Sequence, residues 1–185
     1  VLLDLGSHII DLAYWYLGKF KRVIGIDRIL YPERINKEGK KVKIEVEDYV
    51  CFLAEMENGA KGIIESSKIQ AGSEDELIFE IYGTAGAIKY NSMNPNFLEF
   101  FSQKEKEKGF QRIPTVQKYS ESLPFPGPKF AIGWIRAHIH SIYNFLTSVH
   151  KRIPASPSLY DGIYNMKVCN AVKESIKTGK WEKIQ

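Results

Sequence analysis

From residue 3 to residue 17 apolar side chains recur at helical spacing. Set at 100° per residue, Leu5, Ile9, Leu12, Ala13 and Tyr16 cover one broad side, while Asp4, His8 and Asp11 fall on a narrow strip opposite. The spacing predicts a helix over 3–17, with Gly18 where a left-handed cap is wanted. The period then falls to two, and strands are predicted over 22–31, 48–57, 60–69, 76–82, 87–90, 98–103 and 110–116. The polar stretch through Asn36, Lys37 and Gly39 reads as an exposed connection. Asn58-Gly59 joins two of the strands and predicts a hairpin with a type I′ turn, in which both residues take positive φ. Gly83-Thr84-Ala85-Gly86 lies between two strands and not at a helix start, so it predicts a turn and not a phosphate loop. Residues 120–129, with three prolines, predict an extended connector. Helical spacing returns in Phe130, Trp134, Ile135, Ile139, Ile142, Leu146 and Val149. It returns again in Leu159, Ile163, Met166, Val172 and Ile176, with Ser158 as N-cap, Asp161 three positions on and Gly179 closing the helix.

One helix, then strands joined by short turns, then two helices describe an α+β fold: an open, largely antiparallel sheet with helices packed on one face. In the hairpin, Val50, Phe52, Ala54 and Met56 fill one face, yet Tyr49, Cys51 and Leu53 make the other apolar as well. A partner subunit or domain is expected to cover that second face.

The 185 residues fit one domain of ordinary size, and 44% hydrophobic against 26% charged residues is the balance of a folded globular protein. Apolar runs break well short of the roughly 18 residues a bilayer crossing needs, which gives no membrane partner and a cytoplasmic default. Cys51 and Cys169 lack the close spacing of a metal site, and no metal is expected. The net charge of +4 is scattered, and Lys104-Glu105-Lys106-Glu107-Lys108 alternates in sign, so no nucleic-acid surface is expected. The chain enters its first helix directly from Val1, with no leading Met, and reads as a fragment.

Asp4, His8 and Asp11 are the constellation that looks like a site. Histidine titrates nearest neutrality and suits proton removal from a hydroxyl, and a carboxylate one helical turn away can orient it. The same residues also suit a bland role, since aspartates near a helix start cap it and a lone histidine on an apolar helix is often a core residue. His138 and His140, two apart, point in different directions and cannot form an i, i+4 zinc pair, though His138 or Trp134 could reach a cleft. No Gly-x-Gly occurs among the fourteen glycines, so the chain carries no dinucleotide fingerprint of its own.

At these residues the sequence resembles the Gfo/Idh/MocA family, the group of glucose-fructose oxidoreductase and inositol dehydrogenase. Asp4-Leu5-Gly6-Ser7-His8-Ile9-Ile10-Asp11 looks like the family's D-x-G-x-H-x-x-D helix. In the family's order follow Glu47-Asp48, Asn58-Gly59-Ala60, Ile64-Glu65-Ser66-Ser67, Gly83-Thr84-Ala85-Gly86-Ala87-Ile88, Asp161-Gly162, Glu174-Ser175 and Thr178-Gly179-Lys180-Trp181. The resemblance implies that residues 1–185 are the C-terminal, GAPDH-like substrate-binding and oligomerisation domain of an NAD(P)-dependent dehydrogenase whose N-terminal Rossmann domain is absent here. It implies His8 and Asp4 as catalytic residues; the reading of the helices adds Asp11, Trp134 and His138 as candidates for binding substrate or supporting the site. It also implies NAD or NADP held mainly by the missing domain, a sugar or polyol substrate, and a homo-oligomer formed through the open sheet face. The isolated piece is expected to be inactive, because the family's lysine from an E-K-P motif belongs to the missing domain. The alternative is a non-catalytic oligomerisation or ligand-binding module of the same fold.

Overall fold

In the computed structural model of the chain, residues 1–115 and 133–185 are described. The connector over 120–129 lies outside them. The chain forms two compact units, one of Val1–Gly72 with Pro157–Gln185 and one of Ser73–Ser156.

The first unit begins with a π-helical turn, Leu2–Gly6, running into α1 (Ser7–Leu17). There follow β1 (Phe20–Arg28), β2 (Glu33–Ile35), β3 (Lys41–Lys43), β4 (Tyr49–Met56) and β5 (Lys61–Ser67). The second unit holds β6 (Ile78–Tyr82), β7 (Gly86–Asn91), β8 (Phe97–Ser102), β9 (Gln111–Pro114) and α2 (Gly133–Lys151). The chain then returns to the first unit with α3 (Leu159–Thr178) and β10 (Glu182–Lys183). One sheet has the order β10-β1-β4-β5, another is the meander β6-β7-β8-β9, and β2 pairs with β3 as a separate ribbon. All these pairings are antiparallel. The α+β class with antiparallel sheets is therefore as the sequence predicts, although the strands divide among three sheets.

Two elements depart from the expectation in small ways. The polar stretch around Asn36 is a turn in which the Asn36 side chain accepts from the Glu38 and Lys40 amides, and the residues on either side pair as β2 and β3. Both short strands are exposed, so they carry no apolar alternation for a reader of sequence to see. The Asn58-Gly59 hairpin forms as predicted, but the turn is not type I′: Gly59 alone takes positive φ, at 90°. The Met56 amide donates to the Ala60 carbonyl across a three-residue loop, which needs a single left-handed position.

In the first unit Val50, Phe52, Ala54 and Met56 of β4 are at most 3% exposed and meet Phe20 and Val23 of β1 and Val168, Cys169 and Val172 of α3. Each of the valine, phenylalanine and methionine side chains removed from water contributes about 1.5–3 kcal/mol. Helix α3 lies against β1 at Gly25, where an added Cβ would stand 3.1 Å from the Phe52 Cβ and 3.3 Å from both the Cys51 carbonyl and the Val172 Cγ1. Ser158 and Asp161 close the predicted capping box, and Gly179 ends α3 at φ 66° in the left-handed region. On the opposite face Ile24, Leu53 and Ile63 form one cross-strand row and Ile26, Cys51 and Glu65 the next. Ile26, Leu53 and Ile63 are exposed.

Candidate active site

The buried stripe of the first helix is Leu2, Gly6 and Ile10, with Ile9, Ala13, Tyr14 and Leu17 packed around it, while Tyr16 is exposed. This shifts the predicted face, and the cause is local. The Gly6 amide reaches back to the Val1 carbonyl at 3.2 Å, an i→i+5 bond that makes the first turn π-helical. A Cβ at Gly6 would stand 3.0 Å from the Leu2 Cδ1 of the same turn and 3.6 Å, an ordinary contact, from the Ser66 Oγ of β5. On a pure α-helix a spacing of four overshoots a full turn by about 40°. A π turn winds less per residue, so Asp4 and His8 come nearer to one line along the helix. Both are exposed on the side away from the core, and His8 acts electrostatically on Asp4. Asp11, a turn further on, is half-buried.

The helix is fastened at three places. The Leu2 amide donates to the Glu47 Oε1 at 2.7 Å. The Asn165 Nδ2 of α3 donates to the Ser7 carbonyl at 2.7 Å, between the two site residues. At the far end the Asn58 Nδ2 donates to the Leu17 carbonyl at 2.9 Å, so the hairpin turn also caps α1. Asp48, beside Glu47, is buried and accepts from the Leu30 and Tyr31 amides at 2.9 and 3.1 Å and from the Arg34 guanidinium. The Tyr31 amide foremost, with Leu30 and Arg34, holds its carboxyl below the usual aspartate range. The Asp48 carbonyl in turn accepts from the Lys68 amide at 3.0 Å.

Lys68, just past β5, brings its ammonium onto the Asp4 Oδ2 as an ion pair. That hydrogen bond and charge, more than any other influence, hold the Asp4 carboxyl below its ordinary range. Sequence reasoning missed Lys68, because 64 positions separate it from Asp4 and nothing in the strand predicted over 60–69 ties its end to the first helix. The cluster of Asp4, His8 and Lys68 is built within the first unit; Trp134 and His138 are residues of α2, in the second. Among the described residues no group of three or more His, Cys, Asp or Glu is placed to hold a metal ion. No described helix is long and apolar enough to cross a membrane.

Chemically, an exposed imidazole beside an ionised carboxylate can take up and release a proton at a substrate that approaches from solvent. An antiparallel α+β framework carrying such a cluster on an outward helix defines the fold class. The comparisons make the assignment narrower. Residues 1–184 match the family model described as "Oxidoreductase family, C-terminal alpha/beta domain", and the chain belongs to this family, the Gfo/Idh/MocA oxidoreductases. It is 28% identical over 195 residues to levoglucosan dehydrogenase of Pseudarthrobacter phenanthrenivorans, a match covering 96% of this chain and 50% of that protein. Levoglucosan dehydrogenase in complex with NADH and levoglucosan superposes with a TM-score of 0.89 at 28% identity, over 98% of this chain and 49% of that one. An oxidoreductase domain protein from Kribbella flavida does so with a TM-score of 0.88 at 26% identity, again over 98% and 49%. The chain thus spans about half the length of the relatives it matches.

Proposed function

We propose that this chain is the substrate-side half of an NAD(P)-dependent dehydrogenase acting on a sugar, a polyol or a related hydroxyl compound. The observation that carries the reading is the exposure of Asp4 and His8, four residues apart, on the family's motif helix. The similarity to levoglucosan dehydrogenase, whose structures include NADH, supports both the cofactor and the sugar class.

His8 would accept the proton of the substrate hydroxyl, and the Asp4 carboxylate would orient the imidazole and balance the charge it gains. The nicotinamide, when bound, supplies the acceptor for the substrate's hydride. The chain's residues fit the reacting end of such a cofactor, since imidazole and carboxylate are both open to approach. The dinucleotide's phosphates would be held by a separate domain, as this chain has no Gly-x-Gly. Asp11, one turn on from His8 in the same unit, would contact substrate or support the site. Residues 1–185 would then be one substrate-binding and oligomerisation domain of a longer, homo-oligomeric protein, joined through the face of Ile24, Ile26, Leu53 and Ile63. The two free cysteines fit a cytoplasmic setting.

The test is oxidation of sugars and polyols with NAD and NADP by the full-length protein and by its His8→Ala variant. A fall in kcat/KM of about 10²–10⁴-fold is expected. An unchanged rate removes His8 from the mechanism. The same exposed rows favour a second reading, a non-catalytic module that only pairs subunits. Defined dimers with no turnover by the full-length protein would support it.

A further inference from the structure

We propose that Lys68 is a positioning residue of this site, its ammonium holding the Asp4 carboxylate in place beside His8. The inference deepens the reading of His8 as proton acceptor and rests on it.

The approach of Lys68 to Asp4 is arranged by the backbone. Glu47 receives the Leu2 amide at the head of the motif helix, and the neighbouring Asp48 receives the Lys68 amide. One dipeptide thereby fixes the origins of both side chains. The surrounding acids have partners of their own: Glu65 accepts from the Gln70 Nε2 at 3.0 Å, and the Asp48 carboxylate from Leu30, Tyr31 and Arg34. Lys68 goes instead to Asp4, and both side chains are about half exposed or more. An ion pair in that setting adds little to the stability of a fold. Its consequence is local: one carboxylate oxygen is fixed and its charge is opposed.

The charged side chains acting on Asp4 are Lys68 foremost and His8. With Lys68 in place, one Asp4 oxygen is tied down and the carboxylate keeps its place on the helix face that carries His8. Without Lys68 the carboxylate loses that tether and the opposing charge, and its own carboxyl titrates nearer the ordinary aspartate range.

The experiment compares Lys68→Met, Lys68→Arg and His8→Ala in the full-length protein. With a sugar or polyol that the parent oxidises, Lys68→Met is expected to lower kcat by about tenfold to a hundredfold. KM should change little. Lys68→Arg should restore most of the rate. In parallel, the Asp4 carboxyl is titrated by carbon NMR in the same proteins, and in Lys68→Met it should titrate at higher pH than in the parent. Parental kcat in Lys68→Met, while His8→Ala is inactive, overturns the inference and leaves the reading of the site standing. A fully active His8→Ala overturns both. An Asp4 titration unmoved by Lys68→Met overturns the pairing whether or not a substrate has been found.

Discussion

Ser175→Ala probes how α3 is seated, and with it the support of the site helix. Ser175 is fully buried, accepts from the Gly25 amide at 3.0 Å and donates to the Val172 carbonyl at 2.7 Å. The donated bond matters less, because a helix-interior carbonyl already has a backbone partner four residues on. The accepted bond matters more. Strand β10 pairs with β1 at Arg22 and Val23, so by Gly25 the edge of β1 has no strand beside it, and the serine hydroxyl takes that role. Removing it leaves a buried backbone donor without a partner, at a cost of about 1–3 kcal/mol. In a domain of about 100 residues each kcal/mol lowers the melting temperature by roughly 4–8 °C. Urea unfolding followed by far-UV circular dichroism reads the loss as a lower midpoint at unchanged slope. A midpoint equal to the parent's would refute the reasoning, since it would mean that the Gly25 amide finds another partner at no cost.

Asn165→Leu removes the donor to the Ser7 carbonyl, and activity of the full-length protein should fall more than its melting temperature does; equal, small changes in both would show that α1 does not depend on this bond. At Gly86 an added Cβ would stand 2.3 Å from the Phe101 carbonyl oxygen, so Gly86→Ala should destabilise the second unit by about 3 kcal/mol, the upper end of overpacking, read by hydrogen exchange in β7 and β8. The Asp48 carboxyl is held below its usual range, so its contribution to stability is complete above the ordinary aspartate value near 3.9 and is lost as pH falls through the lower folded value. An acid-unfolding curve for Asp48→Asn should therefore lie below the parent's at neutral pH and converge with it in acid; parallel curves would show that Asp48 is not titrating there.

Periodicity alone placed the first helix, seven strands and the last two helices, because burial on one face imposes a repeat of 3.6 or 2 that composition displays directly. The cap of α3 at Ser158 and Asp161 was equally legible, since its partners are three residues apart. Asp4 and His8 were found the same way, one turn apart on a short stretch of chain. Contacts between distant segments lay beyond that reach. Nothing local announces that β4 and α3 crowd Gly25, or that the first turn winds as a π-helix and turns Leu2 and Ile10 inward. Likewise Lys68 and Glu47 reach the site helix only because β4 and β5 fold back against it. Local spacing determined which residues could do chemistry, and the folding of the sheet decided which charges stand beside them.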